Sequence, residues 1–292
     1  MDTQTIKKNL EQNGYCIIEN ILNPNEIFQA KELFYDWYDS IDNFDYIHSK
    51  INPHNIFKYH QVGHQEFAWY LRTRPQIIST FASIWDTTSD NLVCSFDGSC
   101  YIKQGNNKLN TKCWTHTDQA PKKIGRHCVQ GFVSLTNNKN NSLVVYEGSH
   151  LLHEPYFREI NQSNDSKNWQ LINHEYLNNI TDKRKVLNIP AGALVLWDSR
   201  TFHQNIHSDS NEERIVQYIC MLPKNNKLNS TAMQKKRLKY FNELRTTSHW
   251  PYPINVNTLQ PQTYGNNELL INYDNLEKPN LDLYMTNIKM LL

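Results

Sequence analysis

The sequence predicts a mainly β protein with flanking helices, built on a sandwich or jelly-roll core. Three observations lead there. Short apolar runs parted by turn residues crowd residues 91–222. Residues 1–90 instead carry apolar side chains at helical spacing, as does 232–245. No Gly/Ser-rich linker, internal repeat or apolar run of membrane-spanning length interrupts the chain. Residues 1–292 therefore read as one domain: a helical part (1–90), a core (91–222) with a polar, partly helical insertion near 152–182, then a C-terminal helix and irregular tail (223–292).

The elements follow from local chemistry. Thr5–Leu10 reads as a short helix closed by Gly14, where left-handed backbone meets no Cβ. Tyr15–Ile18 is a brief strand. Asn23-Pro24-Asn25-Glu26 opens a longer helix, with Asn as N-cap, Pro in the first turn and Glu completing a capping box. Its apolar stripe is Ile27, Leu33, Phe34, Trp37 and Tyr38. Further helical runs span 64–74 and 76–85. Strands are expected at 92–96, 99–103, 127–135, 142–146, 185–189, 193–197 and 215–221, and Pro190-Ala-Gly192 supplies a turn.

A net charge of +1 argues against a broad nucleic-acid surface. Lys235-Lys-Arg237 reads as the solvated face of a helix. Six cysteines form no CxxC pair, and the opening MDTQTIKKNL lacks a signal-peptide core, so a reducing, cytoplasmic setting is expected. His60 and His64 read as structural. The stiff His249-Trp-Pro-Tyr-Pro253 segment would either cap a substrate mouth or pack the tail against the fold.

With twelve His in the chain, about half an HxD is expected from composition alone. Two occur, His116/Asp118 and His207/Asp209. The second sits in a polar stretch that reads as a hairpin loop. The first places two metal-capable groups on one face of a strand. A third ligand is expected from His203. Arg214 stands eleven positions further on. If 203–214 forms an antiparallel hairpin, its turn is centred between 208 and 209 and His203 faces Arg214. Two His and one carboxylate leave three positions of Fe(II) open, enough for a chelating 2-oxo acid and O₂. Arg214 would then grip the acid's far carboxylate.

These residues resemble the phytanoyl-CoA dioxygenase family of Fe(II)/2-oxoglutarate oxygenases over roughly residues 8–222. The likeness lies in Asn13-Gly-Tyr-Cys-Ile-Ile18 with Asn23–Glu26, in His116-Thr-Asp118, in Ser142–Tyr146 with Gly148-Ser-His150, and in Pro190–Trp197 with His203 and Arg214. It implies a double-stranded β-helix (cupin-like jelly roll) core, with Fe(II) on His116, Asp118 and His203 and 2-oxoglutarate on Arg214. Oxidative decarboxylation would release succinate and CO₂, and O₂ would oxidise a C–H bond of a small molecule. An intact Asp118 favours hydroxylation over halogenation. The family's Pro before Gly148 is Glu147 here, and Gln204 and Asn205 replace small residues. Asn205, two positions after His203, and Lys103 are further candidate contacts to the cosubstrate. The lysine's alternative is an exposed place on an edge strand. The rival functions are an oxygenase of a protein or nucleobase, a cupin isomerase or hydrolase, and a non-catalytic binding module. The last two need no Arg214 beside a complete ligand set.

Overall fold

The computed structural model describes residues 1–105, 112–208 and 210–292. The strands are β1 (Tyr15–Ile18), β2 (Ile56–Phe57), β3 (Leu92–Cys94), β4 (Ser99–Ile102), β5 (His116–Thr117), β6 (Val129–Ser134), β7 (Leu143–Tyr146), β8 (Gln170–Leu171), β9 (Arg184–Val186), β10 (Leu194–Asp198), β11 (His203–Asn205) and β12 (Arg214–Pro223). The helices are α1 (Thr3–Gln12), α2 (Pro24–Asp39), α3 (Phe44–Ile51), α4 (Glu66–Arg72), α5 (Pro75–Ile84), α6 (His153–Glu159), α7 (His174–Asn178), α8 (Thr231–Asn242) and α9 (Met285–Leu291). The chain divides into two compact units, Met1–Asn20 with Ile102–Arg214, and Ile21–Tyr101 with Ile215–Leu292.

In the first unit, β10 pairs with β1 on one side and β6 on the other, both antiparallel. All five residues of β10 are buried, as expected of a central strand covered on both faces. Helix α1 packs on β1 and β10 through Ile6 and Leu10. A second antiparallel sheet runs β8-β5-β11-β7-β9. One face of it, through Val144 and Tyr146, packs on Tyr156 and Phe157 of α6 and Leu177 of α7. The polar insertion is thus partly helical and covers this sheet.

The 203–214 stretch is not a hairpin. Strand β11 already has β5 on one edge and β7 on the other, so neither edge is free for β12. The connection between them is fastened to the 137–141 loop instead. The Glu212 carboxylate accepts the backbone N–H groups of Lys139, Asn140 and Asn141 at 2.7–3.1 Å. Asn141 in turn accepts from the Ser208 N–H at 2.9 Å. His207 is buried in this connection, and Asp209 lies outside the described residues.

In the second unit, both hydrogen bonds of the expected capping box form at Asn23 and Glu26. Helix α2 buries Ala30, Phe34, Trp37 and Tyr38, while Ile27 and Leu33 stay half-buried at the stripe's edges. Phe34 and Trp37 meet Phe67 of α4, and Trp37 meets Phe44 of α3 and Phe57 of β2. Two expectations change in this unit, and the 249–253 segment takes the packed one of its two readings. Arg237 is fully buried rather than solvated, because its guanidinium finds the carbonyls of Pro251 and Leu292 and the Asn229 amide oxygen. The tail is not wholly irregular: α9 buries Ile288 and Leu291. The 249–253 segment packs rather than caps, with Trp250 and Tyr252 each 3% exposed and the Tyr252 hydroxyl donating to the Pro223 carbonyl. Among the described residues, no helix is long and apolar enough to cross a membrane.

His48, His60 and His64 are buried in this unit. Burial, which disfavours the imidazolium, pushes His48 and His60 down to about 4 and His64 down to about 3. Their unfolded counterparts take up protons below about 6.5. The unfolded chain therefore binds more protons than the native one as pH falls from 6.5 towards 4, and native stability is lost across that window. The melting temperature should stay level above pH 7 and fall steadily between pH 6.5 and 4.5. A flat profile there would mean that these imidazoles reach water.

Candidate metal centre

His116 and His203 are direct partners across the β5–β11 ladder. Opposed residues of an antiparallel pair point to the same face, so the two rings lie side by side, their centroids 4.4 Å apart. Asp118 follows β5, and its backbone N–H donates to the Ser199 carbonyl at 2.9 Å. The Thr117 hydroxyl donates to that same carbonyl at 2.8 Å. This double hold turns the Asp118 carboxylate back towards the histidines. Its Oδ2 lies 3.6 Å from His116 Nε2 and 3.2 Å from His203 Nε2.

The hydrogen bonds set the tautomers. His116 Nδ1 lies 3.1 Å from the Trp114 carbonyl, and His203 Nδ1 lies 2.8 Å from the Thr201 carbonyl. A carbonyl only accepts, so each Nδ1 carries a proton, and in the neutral ring it is Nε2 that presents a lone pair. Burial pushes the His116 imidazole down, and neighbouring His203 adds to the effect, so the neutral form is favoured. Two lone pairs and a carboxylate then face one another in a buried space. A cation resolves that arrangement, and a backbone carbonyl behind each imidazole is the usual support of a ligating His. One ligand atom from each of His116, Asp118 and His203 lies within 4.8 Å of the others, a group that could hold a metal ion.

Arg214, at the start of β12, is fully buried. It does not face His203 across a ladder. Its Nη2 donates to Asn205 Oδ1 at 3.0 Å, and its guanidinium lies 5.5 Å from the centre of the Phe132 ring. Asn205 stands two residues after His203, so both project from one face of β11. Nε and Nη1 of Arg214 are buried with no hydrogen-bond partner among the described residues. An unpaired buried guanidinium edge is costly, and a carboxylate is the group that fits it.

The comparisons with known proteins agree with this chemistry. The profile of the phytanoyl-CoA dioxygenase (PhyH) family matches residues 10–216. The chain belongs to the phytanoyl-CoA dioxygenase family. Ava biosynthesis cluster protein O of Aspergillus versicolor is 33% identical over 178 residues, 57% of each chain, so the match spans little more than half of that relative. Among solved structures, EctD from S. alaskensis, crystallised with 2-oxoglutarate and 5-hydroxyectoine, is 12% identical at a TM-score of 0.55, with 77% of each chain covered. The epimerase SnoN, solved with Fe3+, alpha-ketoglutarate and nogalamycin RO, is 13% identical at a TM-score of 0.53 and covers 76% of this chain and 83% of its own. GlcNAc Inducible Gene 2 of Candida albicans is 14% identical at a TM-score of 0.62, over 99% of this chain and 75% of that one. At these identities the likeness is one of fold.

In this PhyH member the Gly148-Ser149-His150 segment is structural. The Ser149 hydroxyl accepts the Phe202 N–H at 2.8 Å, one residue before His203. His150 Nε2 donates to the Glu11 carbonyl at 3.0 Å and Gly148 N to that of Asn13 at 2.8 Å. The segment thus ties the end of α1 to the strand that carries His203. Lys103 is exposed just beyond β4. Sequence reasoning missed Gln130 and Phe132, two residues apart on one face of buried β6. Gln130 Nε2 donates to Asp118 Oδ2 at 3.2 Å, and Phe132 lies under Arg214. Only the alternation of β6 could have signalled them, and it does not say which face meets the histidines.

Replacing Gln130 with Leu removes the donor that fixes Asp118 and should lower Fe(II) affinity about 10- to 100-fold. Anaerobic metal titration reads this directly. Unchanged affinity would show that Asp118 needs no support from β6.

Proposed function

We propose that this protein is a non-haem Fe(II)- and 2-oxoglutarate-dependent dioxygenase that hydroxylates an unactivated C–H bond of a small molecule. The observation that carries the reading is the pairing of two features in one unit. Three ligand atoms converge within 4.8 Å, and a buried arginine holds two nitrogens unpartnered among the described residues. An isomerase, a hydrolase or a binding module needs the first but not the second. The antiparallel sheets suit a double-stranded β-helix core, with 1–292 as one functional domain. A relative named for a biosynthesis cluster supports a small-molecule substrate.

In this reading His116, Asp118 and His203 hold the iron and leave three positions open. Bound iron with 2-oxoglutarate and O₂ supplies oxidative decarboxylation to succinate and CO₂, and with it the power to oxidise a C–H bond. The chain's own residues bind, orient and shield. The carbonyls of Trp114 and Thr201 hold the Nδ1 proton of each imidazole and fix the orientation of both rings. Arg214 receives the distal carboxylate of the cosubstrate, and Asn205 holds the guanidinium at the right angle. We assign the cosubstrate to Arg214 and Asn205 and leave Lys103, exposed just beyond β4, outside that assignment. Trp114 and Trp197 close the sides of the histidine pair, with ring centroids 4.9 Å from His116 and 5.3 Å from His203, and so keep water from that part of the centre. Asp118 occupies the place a halide would need, which directs the outcome to hydroxylation.

Anaerobic addition of 2-oxoglutarate to the Fe(II)-loaded protein should produce a metal-to-ligand charge-transfer band in the visible region. Metal binding without that band would exclude the dioxygenase reading. Arg214→Ala should raise the 2-oxoglutarate concentration needed for the band about 10- to 100-fold and leave Fe(II) affinity unchanged. Arg214→Lys should recover only part of the loss, because an ammonium lacks the planar fork. Loss of iron in Arg214→Ala would place the arginine in a structural role.

A further inference from the structure

Strand β8 is the edge of the sheet that carries the metal-site histidines. Leu171 is the ladder partner of His116, which is itself the partner of His203. Leu171, His116 and His203 therefore form one row across the sheet and point to one face. Trp169, two residues before Leu171, belongs to that face as well, and its ring centroid lies 5.5 Å from that of His116. Both side chains are unusually open for large apolar groups, Trp169 at 42% and Leu171 at 53% exposure. Their neighbour Ile172 points the other way and is buried with α6 and α7. The 169–172 segment thus places Ile172 in the core and keeps Trp169 and Leu171 exposed on the face of the metal-site histidines.

The polar groups near this wall are already engaged. Trp114 stacks on His116 with 17° between the rings, and its indole N–H donates to the Asn205 carbonyl at 3.1 Å. The Gln204 amide oxygen accepts from the Trp114 N–H and the Thr115 hydroxyl at 3.0 and 2.7 Å. Among these described residues, what is left for a ligand is ring face and hydrocarbon. Such a surface favours a flat, uncharged ring over a zwitterion or an extended polar chain.

We propose that Trp169 and Leu171 form the substrate wall of the metal centre and select a molecule that presents a flat, apolar ring system to the iron. This rests on the dioxygenase reading for its catalytic meaning, but the wall can be tested without turnover. Protein labelled with 5-fluorotryptophan gives a 19F signal for each indole, and the Trp169→Phe variant assigns the one from Trp169. Titration of the metal-free protein with 2-naphthol should move the Trp169 and Trp114 signals saturably, whereas L-proline should leave them in place. Trp169→Ala should weaken 2-naphthol binding about tenfold, read at Trp114, and Trp169→Phe should retain most of it. The Fe(II)–2-oxoglutarate band should form equally in wild type and both variants. The proposal is overturned if neither signal moves, if L-proline moves them as far, or if Trp169→Ala loses iron instead of 2-naphthol. That last result would make Trp169 a prop for His116. A missing charge-transfer band in the wild type with the naphthol response intact would sink the dioxygenase reading and leave the wall standing.

Discussion

Two imidazole lone pairs and a carboxylate held face to face in a buried space are the constraint from which the rest of the first unit follows. Such groups repel or compete for protons unless a cation lies among them, so the polypeptide must hold each from behind. It does so with fixed backbone carbonyls, one behind His116 and one behind His203. The ladder between β5 and β11 removes the remaining freedom by making the two histidines cross-strand partners. Strands of two and three residues would be marginal alone. They persist because β7, β8 and the Ser199 carbonyl grip them on all sides. Binding of a metal to such a centre adds directly to the stability of the fold around it.

Alternation along single strands divides the labour. On β11, His203 and Asn205 face the candidate metal site and the arginine, while Gln204 on the other face collects donors from the 113–115 loop and keeps His116 in register. On β6, Gln130 braces Asp118 and Phe132 lies under Arg214. A one-residue slip of either strand would exchange these sets completely. The polar connection before Arg214 guards against a slip at that end, since the Glu212 carboxylate locks it to three consecutive backbone amides.

What could be read from the sequence was whatever is local. The capping box at Asn23 and Glu26 is decided by four adjacent residues, and it forms as expected. His116 and Asp118 are two positions apart, so their nearness is local, while the distant Ser199 carbonyl sets how Asp118 turns. His203 and Arg214 were recognisable as a pair by their spacing, yet the hairpin drawn to join them was wrong. Spacing cannot tell a strand pair from a crossing between sheets when other strands compete for the same edges. Arg237 looked solvated because the carbonyl of Pro251 that buries it lies fourteen residues away in sequence. Trp169 was hidden in a polar insertion, and only the β5–β8 register brings it beside His116. Each of these misses concerns a partner fixed by tertiary pairing rather than by neighbours in the chain.

Gly14 carries a consequence of this arrangement far from its own turn. Its φ is +80°, and a Cβ there would come within 2.5 Å of His150 Nδ1 and 2.7 Å of Thr201 Oγ1. The Thr201 hydroxyl donates to the Gly14 carbonyl at 2.8 Å, and the carbonyl of the same threonine orients His203. Mutational tolerance at this N-terminal bend is therefore set by the His150 ring and by the threonine whose carbonyl stands behind His203. Variation that an ordinary helix end would absorb becomes an inherited defect in the setting of His203, and selection on the one is selection on the other.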